Sequence, residues 1–227
     1  MKKVTATHIK PFTSYNPYFI LPFAVWVVTG GISLLLFDKQ QLFSLFNVHH
    51  STVGDMLMEN ITLLGEGVFS TILLLVLMGT KQLRNWWYFL SAVLTNLVPV
   101  AVTQYVKHAV DAPRPLKYFN EAPWIHTLPE WPRLMEHSFP SGHTSAAFCL
   151  FTFIALLLPP RFRWLGIILF LLALAVGYSR MYLAAHFFLD VYVGSIIGAT
   201  FTIGIMAVMN RLSGRFFTDT IADASEK

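Results

Sequence analysis

Five stretches of this chain, 18–37, 86–106, 144–160, 164–179 and 191–210, contain no Asp, Glu, Lys or Arg. Each is long enough, or nearly so, to carry a helix across a hydrocarbon core of roughly 30 Å at about 1.5 Å per residue. A sixth, 61–80, holds a single acid, Glu66, near its start. The pattern predicts an all-α integral membrane protein with six transmembrane helices. Composition agrees with it, because only 12% of the residues are charged and 55% are hydrophobic, where a soluble domain carries about a quarter charged. The net charge of +4 is no sign of nucleic-acid binding, since it comes without a basic run or an array of stacking aromatics. Membrane proteins carry excess Lys and Arg for topological reasons. Cys149 is the sole cysteine, which excludes an intramolecular disulfide and a thiolate metal cluster, and its apolar surroundings read as those of an inert packed thiol. Residues 1–216 form one transmembrane domain in this reading, and the polar stretch 217–227 a disordered tail.

The basic residues orient the helices. With the N-terminus inside, the inner segments hold Lys2, Lys3, Lys10, Lys81, Arg84, Arg161, Arg163, Arg211, Arg215 and Lys227. The outer segments hold Lys39, Lys107, Arg114, Lys117, Arg133 and Arg180. The inner excess places both termini in the cytoplasm by the positive-inside rule. The first apolar run starts too late and runs too long for a signal peptide, and no small-residue cleavage site follows it.

Three short strings on the outer side carry the chemistry. They are Lys107 with Arg114-Pro115, then Pro140-Ser141-Gly142-His143, then Ser179-Arg180 with His186 and Asp190. Together they supply three cations, two histidines and a carboxylate, the parts needed to hold a phosphate, attack it through nitrogen and protonate what leaves. One basic residue at a helix end reads as headgroup anchoring. Three that coincide with two histidines read as a phosphate site, where planar guanidinium groups meet oxygens in pairs. Counting from inner basic residues to motif residues along each helix gives about 25–35 Å in every case at about 1.5 Å per residue, so all three strings emerge at one depth. Ser141 is a natural N-cap and Gly142 permits close backbone approach, at a helix start whose free N–H groups suit an anion. His186 and Asp190, four apart, can place the carboxylate on one ring nitrogen, given a suitable local turn, and leave the other free for attack. A helix-surface polar pair and a zinc site are the alternatives for these residues, and three cations aimed at one place oppose a divalent ion.

The three strings, in this order and at these spacings, resemble the tripartite signature of the type 2 phosphatidic acid phosphatase (PAP2) superfamily, which also includes vanadium haloperoxidases. The motif-bearing part runs from Lys107 to Asp190, and the hydrophobic layout of the whole chain suits the membrane branch. The resemblance implies a PAP2-like helical bundle with its active site at the outer membrane interface. It also implies that His186 is the nucleophile, forming a phosphohistidine, with Asp190 orienting it and His143 acting as general acid to the leaving group. Lys107, Arg114, Ser141, Gly142 and Arg180 would hold the phosphoryl oxygens, without a metal or other cofactor. The expected activity is removal of a phosphate or diphosphate from a lipid at the periplasmic face of the inner membrane.

Lipid A and undecaprenyl diphosphate are the first candidate substrates, with phosphatidylglycerophosphate and phosphatidic acid beside them. The stretch 128–133 loosely resembles lipid A phosphatases. Two other classes stay open: a lipid or anion transporter that uses the cations only to bind, and a haloperoxidase-type oxidase, which the membrane composition opposes. His108 could touch substrate, whereas His49, His50, His126 and His137 read as solvated loop residues. Glu66, the one acid inside a span, is a functional candidate by position, although its place near the outer end also suits simple exposure. Gly194 and Gly198 read as a helix-packing pair. The Pro- and Trp-rich segment 107–142 is either an interfacial belt or a lid.

Overall fold

A computed structural model describes residues 15–80, 83 and 86–225, with side chains as far as Leu212. Among these residues the chain is entirely helical apart from turns and loops. The helices are α1 (Pro17–Leu36), α2 (Lys39–Asn47), α3 (Thr52–Leu63), α4 (Gly67–Gly79), α5 (Trp86–Val110), the single turn α6 (Pro115–Tyr118), α7 (Gly142–Leu157), α8 (Leu165–Tyr182) and α9 (Phe188–Ser225). Of the inner basic residues, Lys2, Lys3, Lys10, Lys81, Arg84 and Lys227 lie outside the described residues, and for Arg215 only the backbone is described.

Among the described residues, length and apolarity alone do not reach six spans. Four helices are long and apolar enough to cross a membrane, and five spans result if α3 and α4 are taken as one broken span. That pair is bent by 58°. The helix stops at Leu63 and restarts at Gly67, with a tight turn between in which the Gly65 and Glu66 N–H groups bond the Thr62 and Leu63 carbonyls. The expected single span 61–80 is therefore two helices. The other shortfall is α7, whose 16 residues reach about 24 Å. It does not need the full thickness, because it is the axis of the bundle, wrapped by α5, α8 and α9. Its Ala147, Phe148, Cys149, Leu150 and Phe153 are wholly buried. The polar tail also differs from expectation, since α9 continues to Ser225. No proline follows Pro160 in the sequence to interrupt it.

The outward faces of the long helices expose Leu21, Val25, Val28, Ile32, Leu97, Val98, Ile168 and Leu171. In water such a surface would aggregate, and in lipid it is the solvated face. Inside, Phe19, Phe23, Phe148 and Phe170 form one cluster, Phe170 meeting Phe19 and Phe148 edge-on and Phe23 tilted against Phe148. A second cluster, Phe43, Leu116, Ile125, Ala184 and Phe187, sits under the 107–142 segment. Asn47 pins that segment further, donating to the Tyr182 carbonyl at 2.8 Å and accepting from the His126 N–H at 2.8 Å. The short helix α2 thus anchors the 107–142 segment, a role no apolar run announces.

The tightest packing in the bundle is the crossing of α7 and α9. A Cβ at Gly198 would stand 2.4 Å from the Ser145 carbonyl oxygen, and one at Gly194 would stand 2.7 Å from that of Ser141. Only glycine allows the two backbones to meet there, as the packing reading of this pair anticipates. Replacing Gly198 by Leu forces the helices apart, and overpacking of this kind costs about 1–3 kcal/mol or more. We expect a lower thermal midpoint for Gly198→Leu in detergent, followed by size-exclusion fluorescence. An unchanged midpoint would show that the crossing is adaptable.

Candidate active site

The three strings converge at one end of the bundle. Lys107 closes the last turn of α5, Arg114 precedes α6, His143 opens α7, and Arg180 lies in the last turn of α8. His186 occupies the turn between α8 and α9, and Asp190 the first turn of α9. Arg180, His186 and Asp190 are almost wholly buried, at 3%, 1% and 4% exposure. Burial of this degree is costly for charged groups unless each is matched, and the matching defines the site.

Asp190 is matched first. Its Oδ2 accepts from Ser138 Oγ at 2.5 Å and from the Phe187 backbone N–H at 2.9 Å, and it stands 3.5 Å from His186 Nδ1. The Asp190 carbonyl also accepts from the Ser141 N–H at 3.0 Å. The local turn that the His186/Asp190 spacing requires is formed by residues 183–187, where the Ala185 and His186 N–H groups both bond the Arg180 carbonyl. On the far side of the ring, Arg114 Nη1 approaches His186 Nε2 at 3.5 Å. A guanidinium can only donate, so Nε2 is left with its lone pair toward the cations and Nδ1 with the proton toward Asp190. Burial pushes the His186 pKa below the ordinary histidine value, Arg114 and Arg180 push the same way, and Asp190 pulls against them. The imidazole is held neutral, the form that can act as a nucleophile.

Each cation is anchored by part of its donor set. Lys107 Nζ donates to the His137 carbonyl at 3.0 Å. Arg114 donates through Nε to the Glu136 carbonyl at 2.7 Å and through Nη1 to the Ala185 carbonyl at 3.0 Å. Arg180 Nη1 donates to Thr62 Oγ1 at 2.7 Å, its guanidinium stands 5.7 Å from the Trp131 ring centroid, and its buried Nε has no hydrogen-bond partner. A buried guanidinium with an unused donor is the signature of a site built for an anion. Ser141 caps α7, its Oγ accepting from Thr144 Oγ1 at 2.9 Å and from the Thr144 N–H at 3.4 Å. The space a Cβ would occupy at Gly142 is free of protein atoms, so the first N–H groups of α7 face an open approach.

All eight residues singled out in the sequence thus lie at this end of the molecule. Two partners were not foreseen: Ser138, wholly buried, supports Asp190, and Thr62 supports Arg180. Glu66, a candidate from its place as an acid within an apolar run, has its carboxylate 3.8 Å from His143 Nε2. The loop histidines differ from expectation at His126, which is half-buried, bonds Asp55 at 2.8 Å and stacks on His50. His49 and His108 are exposed. The 107–142 segment folds down over the site, its Trp131 against Arg180 and its Trp124 against Phe43 and Phe119.

A buried neutral imidazole backed by a carboxylate and ringed by cations, set in an apolar helical bundle, defines a membrane lipid phosphatase. The chain belongs to the PAP2 superfamily, whose family model matches residues 84–213. It is 32% identical over 152 residues to the undecaprenyl-diphosphatase BcrC of Bacillus subtilis, covering 66% of this chain and 72% of that protein. It is 27% identical over 183 residues to the lipid A 4'-phosphatase of Bacteroides thetaiotaomicron, covering 79% and 80% of the two. The crystal structure of Aquifex aeolicus LpxE superposes with a TM-score of 0.62 at 27% identity, over 75% of this chain and 96% of that one.

Ser138 yields the prediction here. Its hydroxyl holds Asp190, and a hydrogen bond to a charged group is worth about 1.5–3 kcal/mol. We expect Ser138→Ala to lower phosphate release by roughly tenfold or more on that scale, with the protein still inserted and monodisperse. Wild-type turnover in this variant would separate Asp190 orientation from activity.

Proposed function

We propose that the chain hydrolyses a phosphate or diphosphate from a lipid head group at the outer face of the membrane, through a covalent phosphohistidine on His186. The observation that carries this reading is the His186 ring, with Asp190 on Nδ1 and the Arg114 guanidinium facing Nε2. His186 Nε2 attacks phosphorus, the bond from phosphorus to the leaving oxygen breaks, and that oxygen takes the proton carried by His143. Water then gives a proton back to His143 and attacks phosphorus, the P–N bond breaks, and inorganic phosphate leaves. Lys107, Arg114, Arg180 and the N–H groups at Gly142 and His143 meet the charge that gathers on the equatorial oxygens. These fixed cations take the part that a metal ion plays elsewhere, so the reading is of a metal-independent hydrolase.

Undecaprenyl diphosphate and lipid A are the substrates we favour, since relatives named for each align over most of their length. A site at the end of a lipid-facing bundle suits an amphiphile better than a soluble phosphate. The transporter alternative finds little support, because the charged groups gather at one end of the bundle and no chain of them continues along α7.

His186→Ala is expected to abolish phosphate release from both lipids while leaving insertion unchanged, and retention of more than a small fraction of activity would reject the nucleophile. A panel of undecaprenyl diphosphate, lipid A, phosphatidylglycerophosphate and phosphatidic acid, assayed for released phosphate, ranks the substrates. If phosphatidylglycerophosphate or phosphatidic acid is turned over fastest, the substrate assignment is wrong and the mechanism stands.

Orientation is tested separately. In our reading both termini are cytoplasmic and the site is periplasmic, a consequence of Arg161 and Arg163 lying in the short turn at the opposite end of α7 and α8. Cys149 is buried, and in a Cys149→Ala background an introduced cysteine reports alone. Asn120→Cys should react with a membrane-impermeant thiol reagent in intact cells, and Phe162→Cys only after the membrane is opened. The reverse pattern would turn the protein over.

A further inference from the structure

The bend between α3 and α4 lies outside the family-matched region, yet it touches the site three times. Thr62 accepts from Arg180, as described above. Gly65 lies against the start of α7 so closely that a Cβ there would stand 2.8 Å from the His143 carbonyl oxygen and 3.0 Å from the His143 Cβ. Glu66 follows, with Oε1 at 3.8 Å from His143 Nε2. Glu66 holds the N-cap position of α4, where a carboxylate ordinarily accepts a backbone N–H. Its side chain makes no such bond. The carboxylate is instead within ion-pair distance of the histidine, and it acts on the Arg180 guanidinium as well.

We propose that Glu66 is a positioning residue for His143, holding its imidazole toward the site and keeping the proton on it until the leaving oxygen takes it. The proposal rests on the general-acid reading of His143 given above. The groups that face His143 are cationic or neutral: Arg180 from α8, Arg114 from the loop before α6, Lys107 from α5 and His186 from the turn before α9. Burial first, and then each of these cations, oppose a positive charge on the ring, so it holds a proton only where an anion offsets them. Asp190, the other carboxylate of the site, has its Oδ2 committed to Ser138, the Phe187 N–H and His186. Glu66 is the acid within ion-pair distance of His143 among the described residues. Both groups are partly exposed, with side chains 32% and 47% accessible, so the coupling is modest and lies at the mouth of the site, where the leaving group departs.

The experiment compares two substrates, dioctanoyl phosphatidic acid, whose alkoxide leaving group needs a proton, and p-nitrophenyl phosphate, whose phenolate does not. Glu66→Gln keeps the shape and removes the charge. It should lower kcat/KM on the phosphatidic acid roughly three- to fivefold, as expected of an exposed pair, and change the aryl phosphate less than about twofold. The alkaline limb of the phosphatidic acid profile should move to lower pH by roughly half a unit, because loss of the carboxylate lets His143 release its proton sooner. Glu66→Asp, which retains the charge, should recover part of the loss. Equal loss on both substrates, or a selective loss without movement of the alkaline limb, overturns the proposal and leaves Glu66 a structural residue of the bend. His143→Ala run in parallel separates the two readings. If it too spares the aryl phosphate, the general acid stands whatever Glu66 does; if it strikes both substrates equally, the general-acid reading falls and the proposal with it.

Discussion

Asp190 joins what the chain keeps far apart. Its carboxylate binds Ser138, its carbonyl binds the Ser141 N–H, and its Oδ2 backs His186. One residue at the head of α9 therefore sets the end of the long loop, the start of α7 and the ring of the proposed nucleophile. The helix crossing beneath it makes this possible. With Gly194 under the Ser141 carbonyl and Gly198 under that of Ser145, α9 lies close enough for backbone and side chain of the same residue to reach the α7 N-terminus. A bulkier seam would move Asp190 away by ångströms, and hydrogen bonds do not stretch that far.

The electrostatics follow from this tie. The buried carboxylate accepts from a hydroxyl and a backbone N–H, bonds that favour its charged form, which balances part of the cationic field around it. Part of the donor set is unused, since the buried Nε of Arg180 has no hydrogen-bond partner. Burial first, and the Arg114 and Arg180 charges after it, push the His186 pKa down against the pull of Asp190.

Much of this was legible in the sequence because membrane burial simplifies the code. Charge-free runs marked the long helices, and the charged residues that remained had few reasons to be where they are. The Ser141 N-cap and the Gly194/Gly198 packing follow from local chemistry and appear as expected. Hydrophobicity alone could not find the rest. The bend at 64–66 sits inside an apolar run, and helix α2 is mostly polar, with Leu42, Phe43 and Asn47 its buried residues. Ser138 and Thr62 are small hydroxyl residues whose importance comes from a partner distant in sequence. The shortness of α7 is visible only once its neighbours are seen to enclose it, since a sheathed helix is relieved of the thickness that lipid demands.

The anchoring of the cations has a bearing on how any charge-removal variant is to be understood. Lys107 and Arg114 each grip a carbonyl of the overlying segment, at His137 and Glu136, and Lys117 forms an ion pair with the Glu136 side chain. That segment also delivers Ser138 to Asp190. Cutting either cation away therefore unfastens the roof at the same stroke as it lowers the charge beneath it. The loop is a mechanical dependent of the same cations that are proposed to receive the substrate.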